Sequence, residues 1–320
     1  MPPEVTVCVS TRNRSHLLPR LVGCLAAQTL ASERMEAVIV DNGSTDDTWE
    51  VLSSLAAEAP FELRVHRNPP GRGPAAGRNR AWRDARGQWC AFTDDDCSPT
   101  PTWLESVLAG VSGRRVVAAG AVGPVPEDRD LVSTFTRWTY ATEGIARWGA
   151  TANFVAERAD LDKVGGFDET FLNVAGEDTD LLFRLMDTGL EFEYLRDAIV
   201  HHDITQAGIA GLWRDQRRWV DIPAVFAKHP QRRAEMLHHG IFWKRSHPKT
   251  MLLLLGVAGA LIDRRAALLA VPWVHERTCH RWSSESVADR IATLPGVLAL
   301  DVQEIVLMVR GSLRHRVLML

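Results

Sequence analysis

An α/β fold with a mostly parallel central sheet, followed by a mainly helical extension, is what this 320-residue sequence predicts. Three observations carry that prediction. Short apolar runs rich in β-branched residues alternate with helical patterns through the first hundred residues. Each run gives way to hydroxyl, amide, glycine or acidic residues. Beyond about residue 205 helix candidates and longer apolar runs take over.

In chain order, residues 5–10 form a strand-like run before a helix from about Ser15 to Gln28. Residues 37–40 precede a helix from Asp46 to Ala59, and residues 62–67 precede a helix from Ala75 to Arg86. Residues 89–93 supply a further strand. Strict alternation of this kind predicts parallel strands covered on both faces, with a binding crevice at their carboxyl ends. Later, residues 191–200 read as a strand, and Leu181, Leu182 and Leu185 mark the apolar face of a helix that starts near Asp178.

The strand ends carry the chemistry. The fourth run closes on Asp94-Asp95-Asp96, and three adjacent carboxylates repel one another, so the site calls for a neutralising cation. Taken as carboxylate oxygens alone, the donors suit Mg²⁺ or Mn²⁺, ions that commonly bridge phosphates. The same triplet also reads as an acidic loop before Pro101. The first strand ends in Ser10-Thr11-Arg12-Asn13-Arg14, able to receive a nucleotide, with Ser15 also a candidate helix cap. The second ends in Asp41-Asn42-Gly43-Ser44-Thr45-Asp46, which equally describes a turn and a capped helix. Gly71 to Asn79 is glycine-rich and basic before a helix, but no Gly-Lys-Ser/Thr follows, so it is not a P-loop. Glu177-Asp178 sits at a helix start, where acids favour the helix dipole whether or not they act in chemistry. His201-His202 closes the strand at 191–200, as metal ligand or as exposed strand-end histidine.

Composition sets the outer bounds. With 46% hydrophobic and 24% charged residues the chain can bury a full core, and a net charge of −3 gives no drive toward nucleic acid. Cys8, Cys24, Cys90, Cys97 and Cys279 form no Cys-x-x-Cys pair and read as thiols in a reducing compartment. The first residues enter a strand at once without a charged leader and apolar core, so the expectation is a cytoplasmic protein. Residues 251–262 are apolar but are cut by Asp263-Arg264-Arg265 before the apolar run resumes at 266–274. A single membrane span needs about 20 apolar residues, so this pair reads as a hairpin of buried helices or as an element lying at a surface.

Taken in order, Val9-Ser10-Thr11-Arg12-Asn13-Arg14, Ile39-Val40-Asp41-Asn42-Gly43-Ser44-Thr45-Asp46, Gly77-Arg78-Asn79, the aspartate triplet, Gly165-Gly166-Phe167-Asp168-Glu169 and Gly176-Glu177-Asp178-Thr179-Asp180-Leu181 resemble the family 2 inverting glycosyltransferases of the GT-A fold. The resemblance runs from about Val5 to His202 and implies a nucleotide-sugar donor, an acceptor hydroxyl and Mn²⁺ or Mg²⁺. It implies a donor pocket of Ser10, Thr11, Arg12, Asn13, Asp41 and Asn42, with Arg78 and Asn79 closing on the base or diphosphate. Asp94 would face the ribose, Asp96 and His202 would hold the metal, Asp178 would be the general base, and Glu177 would support it or bind the acceptor. The acidic middle position departs from the family's Asp-x-Asp pattern and leaves the division of labour between Asp95 and Asp96 open.

The implied organisation is a catalytic domain over residues 1–205 and a helical extension over 206–320 that touches acceptor, a second copy or a membrane surface. Trp213-Arg214-Asp215-Gln216-Arg217-Arg218-Trp219 comes near the Gln-x-x-Arg-Trp signature of processive polysaccharide synthases without matching it. Two rival classes use similar parts. A nucleotidyltransferase gives no reason for Glu177-Asp178, and a non-catalytic sugar-nucleotide binder gives none for the joint presence of Asp96 and Asp178.

Overall fold

The apolar runs of the first half become strands because they are buried on both faces, as strands inside a helix-covered parallel sheet must be. In β1 (Val5–Thr11) and β2 (Met35–Asp41) only Ser10 keeps appreciable exposure, and β4 (Trp89–Phe92) is wholly buried. With β3 (Glu62–Arg67) they form a parallel block in the order β3-β2-β1-β4. Thr11 lies opposite Asp41, and Asp41 opposite Arg67, so three strands end level at one edge. These are observations of a computed structural model that describes residues 2–137, 146–171, 175–279 and 285–320.

The sheet continues through β7 (Phe154–Glu157), β6 (Val116–Pro124), β8 (Glu191–His202) and β5 (Cys97–Pro99), eight strands in all among the described residues. β7 runs antiparallel to both β4 and β6, and β5 antiparallel to β8, whereas β6 and β8 are parallel. The sheet is therefore parallel on one side of β4 and mixed on the other. Asn153 secures the change of direction. Its buried side chain accepts from Trp103 Nε1 at 2.9 Å and donates to the carbonyls of Ala121 and Ala198 at 3.0 and 2.8 Å. Those carbonyls flank the irregularity at Gly120/Ala121, where a Cβ on Gly120 would come within 2.2 Å of the Asn153 amide.

Helices α1 (Leu18–Ala26), α2 (Thr48–Glu58), α3 (Pro74–Asp84), α4 (Trp103–Val111), α5 (Arg158–Val164) and α6 (Glu177–Asp187) belong to the same unit, Met1–Val125 with Trp138–Asp203. The first helix starts later than its pattern predicts, because Pro19 has no N–H to donate to the Ser15 carbonyl. Residues Ser15–Leu17 form a 3₁₀ turn instead, with no side-chain cap. Asp46 stands just outside α2 and accepts from Thr48 N at 3.1 Å.

The second unit comprises Pro126–Arg137 and Ile204–Leu320. A boundary drawn near residue 205 leaves Pro126–Arg137 with the first half, yet Arg137 N donates to Thr205 O and Thr205 N to Arg137 O, each at 2.8 Å. Its helices are α7 (Gly208–Gln216), α8 (Ile222–Lys228), α9 (Arg233–Met236), α10 (Ser246–Gly259), α11 (Val271–Cys279) and α12 (Val287–His315). By length and composition alone α12 could cross a membrane. Its buried face nevertheless carries acids beside Leu300, Leu307 and Met308. Glu304 accepts from Lys244, His247 and Gln216 at 2.7, 3.1 and 3.0 Å, and Asp301 accepts from Trp273 Nε1 at 2.7 Å and from Arg277. Hydrogen-bonded acids on one face make α12 the spine of this helical unit.

Replacing Asn153 by Ala would strand the Trp103 indole N–H and two strand carbonyls in the interior. Chemical denaturation should register a loss of about 2–4 kcal/mol, and an unchanged midpoint would remove Asn153 from its place at the sheet reversal.

Candidate active site

The level strand ends build one wall of a polar edge. Asp41 is fully buried. Its Oδ1 accepts from Ser44 N at 2.8 Å, and its Oδ2 lies 3.1 Å from Arg67 Nε. Arg67 also donates to Ser44 O, which fixes the turn after β2. Asn42 is directed into the chain: its Nδ2 donates to the carbonyls of Arg72 and Gly73, and its Oδ1 accepts from Asn68. Gly77 lets α3 press on β1, since a Cβ there would fall 2.1 Å from Ser10 Oγ. This glycine serves helix–strand contact.

Within the aspartate triplet each carboxylate has a different fate. Asp94 Oδ1 accepts from Arg78 at 3.0 Å. Asp95 is buried and accepts from Thr11 Oγ1 at 2.7 Å and from Arg14 at 2.8 Å. Burial raises its pKa to about 6 against the opposing pull of Arg14. Asp96 Oδ2 accepts from Arg14 at 2.6 Å, while Oδ1 lies 3.4 Å from His202 Nε2. Burial alone would raise Asp96, but His202 and Arg14 outweigh it and hold the group below the ordinary aspartate value. The repulsion that seemed to demand an external cation is thus met in part by two guanidiniums, Arg14 and Arg78.

Asp96 and His202 meet because β5 pairs with the end of β8, with Cys97 opposite His202 and Asp203 N donating to Asp96 O at 3.0 Å. His202 Nδ1 stands 2.8 Å from the Asp203 carbonyl, which can only accept, so Nδ1 carries the proton. Nε2 of the same ring faces the Asp96 carboxylate, and in the neutral tautomer its lone pair and the carboxylate oxygen offer two donors to one cation. One imidazole nitrogen and one carboxylate oxygen fit Mn²⁺ or Mg²⁺ completed by diphosphate and water oxygens. Cys97 Sγ lies within 4.8 Å of both donor atoms, so the surroundings are not purely oxygen. Burial, Asp94 and Asp96 raise that thiol well above its ordinary value, however, and keep it a protonated, poor ligand.

Arg78 joins this triplet to the second acidic pair. It is buried, and it donates to Glu177 Oε1 at 2.9 Å as well as to Asp94 Oδ1 at 3.0 Å, with its guanidinium 5.8 Å from the Phe167 ring centroid. Glu177 follows Gly176, whose φ of 95° is a backbone state glycine adopts readily, and opens α6. Its Oε2 is buried without a hydrogen-bond partner among the described residues, and burial raises its pKa. Asp178 Oδ1 accepts from its neighbour Thr179 N at 2.7 Å. Burial first, then the adjacent Glu177 charge, lift Asp178 to about 7.

The structure gathers Thr11, Asp94, Asp95, Asp96 and His202 along one line of contacts, and Arg78, Glu177 and Asp178 beside Asp94. Arg12 is exposed. Asn13, at φ 53°, accepts from Thr45 N and stabilises the loop. Asn79 donates to Phe167 O and Glu169 and accepts from Phe167 N and Trp82 Nε1, so it staples the Gly165–Glu169 turn.

 Sequence reasoning did not single out Arg14 or Arg67 as partners of the acids. The signal was available: a like-charged triplet requires cations, and Arg14 sits in the first strand-end motif.

Comparison with known proteins identifies the family and the fold. The family model for glycosyl transferase family 2 matches residues 6–167, half of the chain. Validoxylamine A glucosyltransferase of Streptomyces hygroscopicus subsp. jinggangensis is 30% identical over 282 residues, covering 75% of this chain and 65% of that protein. Pre-mycofactocin glycosyltransferase of Mycobacterium tuberculosis is 31% identical over 212 residues, covering 62% of this chain and 43% of that one. The chain therefore spans less than two thirds of the length of either relative. Among solved structures, mannosyltransferase PcManGT from Pyrobaculum calidifontis, in complex with GDP-Man and Mn²⁺, superposes with a TM-score of 0.61 at 21% identity, over 97% of this chain and 87% of that one. The likeness is one of fold. With the model match over residues 6–167, the chain belongs to glycosyl transferase family 2 and has the GT-A fold.

Proposed function

We propose that this chain transfers a sugar from a nucleoside diphosphate donor to an acceptor hydroxyl by a single inverting displacement, with Asp178 as general base and Mn²⁺ or Mg²⁺ at Asp96 and His202. The observation that carries this reading is the Arg78 bridge, which ties the triplet to the Glu177-Asp178 pair through contacts of 3.0 and 2.9 Å. Metal ligands, donor-facing acid and base then belong to one connected set, as a displacement that breaks one bond while forming another requires. The Pyrobaculum neighbour's complex with GDP-Man and Mn²⁺ supports the donor and metal classes.

The division of labour follows from exposure and partners. Asp95 is buried and occupied by Thr11 and Arg14, so Asp96 Oδ1 is the better placed carboxylate oxygen for the metal, with His202 Nε2 beside it. A divalent cation held there would neutralise the diphosphate as it departs. Ser10, Arg12 and Asp41 line the nucleoside side, Asp94 faces the ribose, and Thr11, Asn13, Asn42 and Asn79 hold the loops that shape the pocket. Asp178 accepts the acceptor hydroxyl's proton. Arg78 directs its hydrogen bonds to Asp94 and Glu177, which leaves Asp178 the raised pKa that suits a base working near neutrality. Attack from the face opposite the leaving group inverts the anomeric centre, and no covalent nucleophile takes part. The buried thiols Cys8, Cys90 and Cys97 are consistent with a cytoplasmic setting.

Asp96→Ala should abolish metal-dependent binding of a nucleoside diphosphate, followed by titration calorimetry with and without Mn²⁺, while the melting profile stays cooperative. Metal dependence equal to that of the parent protein would remove Asp96 from the site.

Asp178→Asn preserves shape but cannot take the proton, so turnover should fall by roughly 10²-fold or more with donor affinity nearly kept. Near-normal transfer by the folded variant would move the base to Glu177.

The raised pKa of Asp178 also fixes the sign of the pH dependence. The carboxyl is protonated and inactive below about 7 and ionised above it, so kcat/KM should fall tenfold per pH unit on the acid side of about 7. A profile flat down to pH 5 would contradict this assignment.

A further inference from the structure

The second unit carries an apolar surface that the reaction does not explain. α10 and the 3₁₀ turn Arg264–Ala270 pack closely, since a Cβ on Gly256 would lie 2.8 Å from Ala266 O and 3.0 Å from Leu269 Cβ. Together with α11 they form a hairpin that is anchored inward by Leu253 and Trp273. Its outward side is the reverse of a soluble surface. Leu261 and Ile262 at the apex are 90% and 94% exposed, and Leu254, Leu255, Val257 and Leu268 are exposed along its sides. Packing as buried helices, one of the two arrangements the sequence allows, is not what these residues do.

We infer that this hairpin is a docking element for an anionic membrane interface, its apex side chains entering the headgroup–acyl boundary and its arginines holding lipid phosphates. Charge selects this occupant. Residues 244–279 contain six Lys and Arg against two acids, in a chain whose net charge is −3. Lys249 and Arg277 are paired within the unit, with Glu276 and Asp301, and Lys244 with Glu304. Arg245, Arg264 and Arg265 are exposed and have no acidic partner among the described residues. A second copy meeting this face across a two-fold axis would bring a patch of the same net positive charge against it, with Asp263 as the nearby acid in each copy. Lipid phosphates supply the missing counter-charge.

Depth follows from the same residues. Residues 251–262 are too short to cross a bilayer, and upright entry would carry Asp263-Arg264-Arg265 into the hydrocarbon. Lying in the interface instead, the hairpin buries Leu261, Ile262 and Leu268 while the arginine stems reach to the headgroups. This docking stands apart from the sugar transfer proposed above, and either holds without the other.

Flotation of the full chain with vesicles of phosphatidylcholine plus phosphatidylglycerol, and of phosphatidylcholine alone, tests it. The protein should float with the anionic vesicles and be released by added salt. The double variant Leu261→Asp/Ile262→Asp should weaken binding by about tenfold or more. Arg264→Glu/Arg265→Glu should erase the preference for anionic lipid, a change of about tenfold or more. These side chains are exposed, so both variants should keep the parent's circular dichroism and melting temperature. A parent protein that stays in the soluble fraction at low salt overturns the inference. So does a double Asp variant that floats as the parent does, or a parent dimer that sedimentation shows to dissociate when Leu261 and Ile262 are replaced.

Discussion

The arrangement of the first unit depends on one buried cation. Arg78 lies between Asp94 and Glu177, two acids 83 residues apart in sequence, and without it their side of the site would hold uncompensated negative charge in the interior. Its own position is set by sterics. Gly77 brings α3 against Ser10, so the guanidinium of the next residue emerges at the strand ends, where Phe167 closes over it. Lysine would not substitute, because a single ammonium cannot present two diverging N–H groups in a fixed plane.

That bridge also explains why neighbouring acids behave differently. Asp94 and Glu177 share a guanidinium, and Asp95 has Arg14 and Thr11, so each has a partner that favours its charge. Asp178 is buried beside a like-charged neighbour, and these outweigh the backbone N–H it accepts from, which leaves its proton more tightly held than that of an ordinary aspartate. Asp96 is divided, with one oxygen on Arg14 and the other turned to an imidazole nitrogen. Carboxyl groups of opposite pKa shift thus arise from the same residue type through burial and the distribution of two arginines.

Much of this was legible in the sequence where a local rule governs. Runs buried on both faces read as strands, and the polar residues that end them fall at one edge because parallel strands put their carboxyl ends there. What depended on non-local pairing was not legible. The reversal at β7 rests on Asn153 reaching Trp103 and two distant carbonyls, which no periodicity encodes. The placing of His202 beside Asp96 rests on the three-residue strand β5, too short to announce itself. Asn42 and Asn79 show a further limit. An amide near a nucleotide motif looks like a ligand until its donors and acceptors are traced to Arg72, Gly73, Asn68, Phe167 and Trp82.

The second unit buries an apolar core that includes Phe226, Leu300, Leu307 and Met308, yet two of its features reverse the usual placement of polarity. α12 turns Asp301 and Glu304 inward, where Arg277, Trp273, Lys244 and His247 satisfy them, while Leu255, Val257, Leu261 and Ile262 of the neighbouring hairpin face outward. Ion pairs inside contribute little net stability once desolvation is counted, and apolar side chains outside contribute none in water. A unit built this way gains from an environment that removes the outer residues from water without reaching the inner charges. A bilayer interface has that character: apolar below, anionic at the headgroups, and unable to compete for groups already paired within the protein.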